Sequence, residues 1–385
     1  MGLIATPKLF QQLWGIWPIE TIHSDVNKKL YLIYRVLVIG WYSFFNMFQA
    51  IASIRLLLEH ESLERVSKCL SVVITLILML TNSIIYQKNR IPNMCLEVSK
   101  IEKLILNNPL EREVYSAYQS VLKRNIYLNR YIVGSSILTF LTFVGISAME
   151  VVKVGPDYWK FDNVSFMHEL YLPFDRSNFF MGIIFVNVWT SVESLVVNGV
   201  IQTTFYALVM YGALRFKVLR IRLKRLNGNE TEEGKIRCLK KLLLEHQECI
   251  RFIENLNNAT TYVLLMSFLL NSVKVASVIF PLMALTSFSD FAFPLIYSSM
   301  LVSEVFFLSW TCNEVQAQSL DVADSIFETS WYRENKEYKM LLQIMIMRAQ
   351  RPVTMRIGPF GTMTTGTIMT TLKAAYSYAT LMMNQ

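Results

Sequence analysis

The residues that could do chemistry in this 385-residue chain are few and scattered. Four histidines, His23, His60, His168 and His246, occupy unrelated stretches, and His168-Glu169 lacks a second His one helical turn away to complete a zinc pair. His246-Gln-Glu-Cys249 falls in a strongly basic stretch and reads as a solvated helix face rather than a ligand pair. Gly358, Gly361 and Gly366 resemble a phosphate loop only superficially, because no Lys-Ser or Lys-Thr follows in register; glycines there permit a bend and close helix packing. No metal, no cofactor and no enzyme chemistry are expected. Five ionisable residues fall inside or near the ends of apolar stretches: Glu193, Lys274, Glu304, Arg55 and Lys373. In a membrane such residues are costly and are candidates for relays, or equally for snorkelling and interhelical structural contacts.

The elements that must position these groups follow from composition. With 53% hydrophobic and 17% charged residues, the chain is too apolar for one soluble core. Seven stretches reach or approach the roughly 20 apolar residues that a bilayer core demands: 30–58, 70–86, 131–152, 179–213, 261–288, 293–312 and 357–383. The second is short and the fourth long, which predicts tilt or an extension beyond the membrane. No cleavable signal peptide is expected over residues 1–27, which lack a continuous apolar run.

Most of the 37 Lys and Arg residues fall in the N-terminus and in the second, fourth and sixth connections, so these are expected to be cytoplasmic. The expected fold class is therefore an all-α polytopic membrane protein. It has seven transmembrane helices, a cytoplasmic N-terminus and an extracellular C-terminus, the inverse of a G-protein-coupled receptor. Cys69, Cys95, Cys238, Cys249 and Cys312 form no tight pair and imply no disulfide framework. Of the sequons at Asn163, Asn229 and Asn258, only Asn163 lies in a connection expected to face outward.

The cytoplasmic connections carry helical periodicity of their own. Arg215 to Leu226 continues a helix out of the membrane up to a breaker at Asn227-Gly228-Asn229. A second helix is expected from about Glu232 to Asn257, with Leu239, Leu242, Leu243, His246 and Ile250 on one face. With 317–351, these form a cytoplasmic helical anchor layer whose apolar stripes are expected to be packed, against other subunits. The expected organisation is 1–213 with the first four spans, 214–260 as extension and connecting helix, 261–313 with spans five and six, 314–356 as anchor helices, and 357–385 as the last helix.

The C-terminal region resembles that of the insect odorant receptors. The resemblance rests on Trp331 and Tyr332 after Ser330, on Leu341-Leu342, and on Met347-Arg348-Ala349-Gln350-Arg351-Pro352. It continues through Gly358 and Phe360 and the ending Leu372-Lys373-Ala374-Ala375-Tyr376-Ser377-Tyr378-Ala379-Thr380-Leu381. Elsewhere the similarity is architectural, with Trp17-Pro18 near the start and Leu172-Pro173-Phe174-Asp175 in an outer loop. The long second cytoplasmic loop of the family's shared co-receptor is absent, so the chain looks like a ligand-tuned subunit.

The resemblance implies a ligand-gated, non-selective cation channel in the plasma membrane of an olfactory neuron dendrite. Its partners would be the odorant co-receptor in a heterotetramer, a small volatile ligand, membrane lipid, and permeant monovalent and divalent cations, with no nucleic acid and no G protein. The last helix would divide into a packing part, 338–350, and a pore-lining part, 362–383. Gate positions would be Leu381 and Asn384, with Gln385 beside the outer mouth, where a Leu ring closes a pore by dewetting. The odorant would bind in the outer half of the second, third, fourth and sixth spans. The expected contacts there are Val73, Ile77, Phe140, Phe143, Ser147, Phe180, Ile184, Trp189, Tyr297 and Met300, with Tyr297 and Ser147 as the polar groups. Rival readings are a gustatory-type channel that assembles without the co-receptor, a metabotropic receptor, and a carrier.

Overall fold

A computed structural model of the chain describes residues 2–22, 24–59, 63–107, 112–154, 180–227, 231–282 and 288–366, and single positions 369, 370, 373, 376, 377 and 380 beyond them. Among these residues the regular structure is helical. In order it comprises α1 (Ala5–Leu13), α2 (Asp25–Leu58), α3 (Leu63–Lys88), α4 (Ile91–Asn107), α5 (Arg112–Val154), α6 (Phe180–Lys224), α7 (Glu232–Leu282), α8 (Phe288–Phe327) and α9 (Lys336–Ala349). The backbone is also helical at the described positions from 365 to 380.

Helix length is the first departure from the sequence reading. At about 1.5 Å per residue, the 45-residue α6 is more than twice as long as a bilayer core is thick. Its inner half continues out of the membrane and ends in a 3-10 turn, Arg225–Asn227, at the expected breaker. The helix expected at 232–257 and the span expected at 261–288 are instead one unbroken helix, α7. Likewise α8 runs from the sixth span through Cys312 to Phe327 without a cytoplasmic break. No Pro or Gly interrupts 239–280 or 295–327, so the backbone had no local reason to stop at the membrane boundary.

Three helices, Asp25–Leu58, Gly182–Lys224 and Leu295–Phe327, are long and apolar enough to cross a membrane among the described residues. Val72–Lys88 and Ile91–Lys103 pass as one broken span bent by 62°. The bend occurs at Arg90, whose φ of 55 lies in the left-handed region, and it is tied down by Asn89, whose Nδ2 donates to the Ala259 carbonyl of α7 at 2.5 Å. Pro92 follows in the first turn of α4, where its missing N–H costs nothing. The third, fifth and seventh expected spans each pass through positions outside the described side chains.

The core lies along the inner half of α6. Phe205 through Met210 are all buried, as are Phe216, Leu219 and Leu223; all but Met210 belong to one apolar cluster that reaches α1, α3, α7, α8 and α9, and Met210 packs in a second with Leu3 and α5. The expected α7 stripe is real: Leu239, Leu242, His246 and Ile250 are buried, with Leu243 partly so. It is covered by α6 of the same chain rather than left for another subunit. His246, read both as part of this stripe and as solvated, is buried with its imidazole edge-on to Phe216 at 6.3 Å, and Cys249, read as solvated, is buried too. Burial pushes this imidazole down to about 4, and the Arg348 guanidinium acts in the same direction. Burial likewise raises the Cys249 thiol to about 12.

The N-terminal segment is a wedge that the periodicity did not announce. Leu3, Phe10, Trp14 and Trp17 are buried within the bundle. The Leu3 amide donates to Glu102 Oε1 at 2.5 Å, Tyr118 donates to the same oxygen, and Asn125 donates to the Leu3 carbonyl at 3.2 Å. Gln11 reaches Thr204 of α6 at 2.9 Å, and the Trp14 indole reaches Ser83 of α3 at 2.5 Å. These bonds tie the segment to α3, α4, α5 and α6, which fixes where the wedge sits, while Gln11 Oε1 and Asn125 Oδ1 are buried without a hydrogen-bond partner among the described residues.

Candidate functional site

In the membrane half of the bundle, the inward faces of α3, α5, α6 and α8 carry hydroxyl, thioether and amide groups. Tyr297 of α8 is hydrogen-bonded to Thr75 of α3. One turn inward, Met300 receives a hydrogen bond from Thr139 of α5, Oγ1 to Sδ 3.4 Å. A further turn inward, Glu304 accepts from Gln202 of α6, and its backbone carbonyl accepts from Tyr206 at 3.3 Å. Tyr297, Met300 and Glu304 follow helical spacing and share one face of α8. That face therefore meets α3, then α5, then α6 at successive depths.

Several residues expected at a ligand are placed here. Val73 is buried, Phe140 and Ile184 are half-buried, and Tyr297 and Met300 make the contacts just given. Ile77 and Trp189 are not brought in: they are 52% and 46% exposed, and Trp189 stacks on Phe185 at 6.2 Å along the outside of α6. An indole can face hydrocarbon as readily as a pocket, so aromatic content alone did not separate the two faces. The side chains of Phe143, Ser147 and Phe180 lie outside the described residues. Sequence reasoning missed Thr75, Thr139, Ile183, Asn187 and Thr190, which are turned inward or bonded across the bundle. The available signal was polarity at helical spacing: Asn187, Thr190 and Ser194 recur every three or four residues in an otherwise apolar helix.

Of the five ionisable residues, Glu304 is held by Gln202, Arg55 pairs with Glu59 at 2.5 Å on an exposed surface, and Lys373 is exposed. Glu193 is buried, and the side chain of Lys274 lies outside the described residues.

Below the bundle, ion pairs brace the anchor layer. Arg220 of α6 donates to Ser325 at 2.9 Å, Gln318 at 3.0 Å and Asp321 at 2.6 Å, all on α8. Arg222 meets Glu245 of α7 at 2.9 Å, and Lys235 meets Glu334 at 2.8 Å. The motif residues sit at the next joint. Trp331 packs on the core cluster, and Tyr332 is exposed with the Arg333 guanidinium 5.4 Å over its ring. Asn335 caps α9 by accepting from the Tyr338 amide at 2.8 Å.

After α9 the chain turns through Pro352, which is exposed, into a tight reversal. Met363 N donates to Met355 O at 2.8 Å, and Ile357 N to Gly361 O at 2.8 Å. Gly358 (φ 50) and Gly361 (φ 108) supply the left-handed backbone, and a Cβ on Gly358 would come within 3.0 Å of Leu265 of α7. The reversal is clamped from two helices: Val353 N donates to Ser319 of α8 at 3.0 Å, and Arg356 N to Asn257 of α7 at 2.7 Å. Beyond it Tyr376 is exposed, and the Ser377 and Thr380 hydroxyls bond back to their own helix. Tyr378, Leu381, Asn384, Gln385 and Asn163 lie outside the described residues.

This succession of a polar-studded bundle, a braced layer and a glycine reversal corresponds to a known family. The model of the family described as "7tm Odorant receptor" matches residues 62–376. The chain belongs to this odorant receptor family. Odorant receptor 10 of Aedes albopictus is 27% identical over 182 residues, 46% of this chain and 48% of that protein. Odorant receptor Or2 of Anopheles gambiae is 29% identical over 184 residues, covering 46% and 48%. The chain thus spans about half the length of these curated relatives. Odorant receptor 67c of Drosophila melanogaster is 24% identical over 275 residues, 69% of this chain and 66% of that one. Among solved structures, the olfactory receptor OR5 of Machilis hrabei in complex with eugenol superposes with a TM-score of 0.76. The two are 18% identical, and the match covers 99% of this chain and 97% of that one. The likeness in structure extends the odorant receptor fold over nearly the whole chain, helical throughout the regular structure of the described residues.

Proposed function

We propose that the chain is the odorant-tuned subunit of a ligand-gated, non-selective cation channel, formed as a heterotetramer with the odorant co-receptor in the plasma membrane of an olfactory neuron dendrite. It crosses the membrane seven times, with its N-terminus in the cytoplasm and its C-terminus outside. A small volatile odorant binds against Tyr297, Met300 and Val73, with Phe140, Phe143, Ser147, Phe180 and Ile184 completing the site. The helical segment after Gly361 lines the pore, with Leu381 and Asn384 at the gate and Gln385 beside its outer mouth, and no G protein takes part.

The observation that carries this reading is the continuity of α8. A single 40-residue helix bears Tyr297 and Met300 at one end and, 19 residues beyond Met300, Ser319, which holds the first amide after Pro352. A ligand that wedges α8 away from α3 or α5 therefore moves the joint from which the pore segment starts. Only differential affinity for the open arrangement can drive this, and about 2.7 kcal/mol of preference shifts the equilibrium a hundredfold.

The test is whole-cell current in cells expressing the chain with and without the co-receptor, under G-protein blockade, as volatile aromatics, esters, alcohols and ketones are applied. Rapid cation currents that need both subunits support the proposal. Currents from this chain alone favour the gustatory-type assembly, and G-protein-dependent responses overturn it.

A further inference from the structure

Glu193 plays no part in the arrangement above. It lies in the apolar stretch of α6, about 120° around the helix from Asn187 and about 60° from Thr190 at 100° per residue, on the side where Tyr34 and Tyr42 of α2 interact with it. Its surroundings come from α2 and from its own helix. The Trp189 side chain hydrogen-bonds the carboxylate, and the phenols of Tyr34 and Tyr42 interact with it electrostatically. Tyr42 is buried, with its hydroxyl donating to Met79 Sδ of α3 at 3.8 Å and its backbone carbonyl accepting from Asn46 Nδ2 at 2.7 Å. Glu193 is only 8% exposed, yet its Oε2 is buried with no hydrogen-bond partner, and it forms no ion pair among the described residues.

A carboxylate with an unused acceptor inside a membrane protein is expensive unless a proton or a cation completes it. Three aromatic side chains beside a carboxylate are the components that recognise an organic ammonium group: the acid accepts the N–H bond, and the ring faces attract the charge. The seam is also reachable from the side, since Tyr34 and Trp189 remain partly exposed on the outer surface of α2 and α6. We propose that the α2–α6 seam around Glu193 is a binding site for a small, membrane-partitioning primary or secondary ammonium compound, with Glu193 Oε2 accepting its N–H and Trp189, Tyr34 and Tyr42 flanking it. It is separate from the Tyr297–Met300 face and does not depend on the channel reading.

The test is equilibrium binding to the purified full chain in lipid nanodiscs at neutral pH, followed by tryptophan fluorescence and by the unfolding temperature. The probes are 2-phenylethylamine, protonated under these conditions, and 2-phenylethanol, its neutral counterpart. The amine is expected to bind saturably, raise the unfolding temperature and exceed the alcohol by about tenfold in affinity. Glu193→Gln is expected to lose about thirtyfold of the amine affinity and none of the alcohol's. Glu193→Asp keeps the charge and is expected to keep the preference for the amine. Equal binding of amine and alcohol by the unaltered chain overturns the proposal without reference to any variant. So does unchanged amine binding by Glu193→Gln, which would make Glu193 a protonated structural acid. Because the readout is binding alone, neither result bears on whether the chain conducts ions.

Discussion

The apolar half of the bundle and the anchor layer are held together by different chemistry. Around Tyr297, Met300 and Glu304 the crossings between helices are single hydroxyl, thioether and amide contacts, each on a different neighbour. In the layer, Arg220 alone makes contacts to three side chains of α8, and Arg222, Lys235 and Lys240 each meet a carboxylate on another element. The same α6 and α8 run through both regions. Isolated neutral contacts are individually weak and exchangeable, whereas a layer of packed apolar stripes and paired charges behaves as a unit. Under the proposed function, a small ligand would perturb the weakly held bundle while the layer keeps its packing.

Attacking the layer should have the largest effect. A Cβ on Gly212 would lie 2.2 Å from the terminal methyl of buried Ile253, so Gly212→Val should separate α6 from α7. A loss of about 3 kcal/mol, as for overpacking of a tight core, would empty the surface pool measured by labelling of intact cells. Acidification should act on the same interface through His246. Its folded value of about 4 lies below the ordinary 6.5, so the unfolded chain takes up the proton first. Stability should therefore be unaffected above pH 6.5 and fall by about 1.4 kcal/mol per pH unit between there and about 4, a slope that His246→Phe removes from the thermal-unfolding profile. Arg220→Ala leaves Asp321 and Gln318 without their shared partner at a partly exposed site, where a loss of about 1 kcal/mol is expected in the same assay. In the bundle the order reverses. Tyr297→Phe removes the bond to Thr75 and should change stability by less than about 1 kcal/mol, yet it should shift the odorant dose-response curve; an unchanged curve would take Tyr297 out of the ligand site.

The two regions also differed in how well they could be read from residues alone. The layer was legible where it obeys helical periodicity: the α7 stripe, the end of the α6 extension at Asn227 and a bend at Gly358 and Gly361 appear where spacing and backbone chemistry put them. What covers the stripe was not legible, since a buried face looks the same whether α6 of the same chain or another subunit meets it. His246 could be read two ways, as part of the stripe and as solvated among charged neighbours, and the fold seats it on Phe216; Cys249, read as solvated, is buried. In the bundle, hydrophobicity carries little directional information because lipid and protein interior are equally apolar, and Trp189 and Ile77 were assigned inward when they face out. The modest hydroxyls of Thr75 and Thr139 marked the interior better than the aromatics did. The N-terminal wedge depends on Glu102, Ser83 and Thr204, contacts too distant along the chain for any local pattern to reveal.

The most direct test is backbone amide exchange of the full chain assembled with the co-receptor in nanodiscs, with and without an odorant found to evoke current. The account predicts slowed exchange in α3 and in the outer part of α8 around Tyr297, altered exchange in the Pro352–Met363 reversal, and no change over 214–258. Exchange altered mainly within 214–258, with α3, the outer part of α8 and the reversal unaffected, would contradict it.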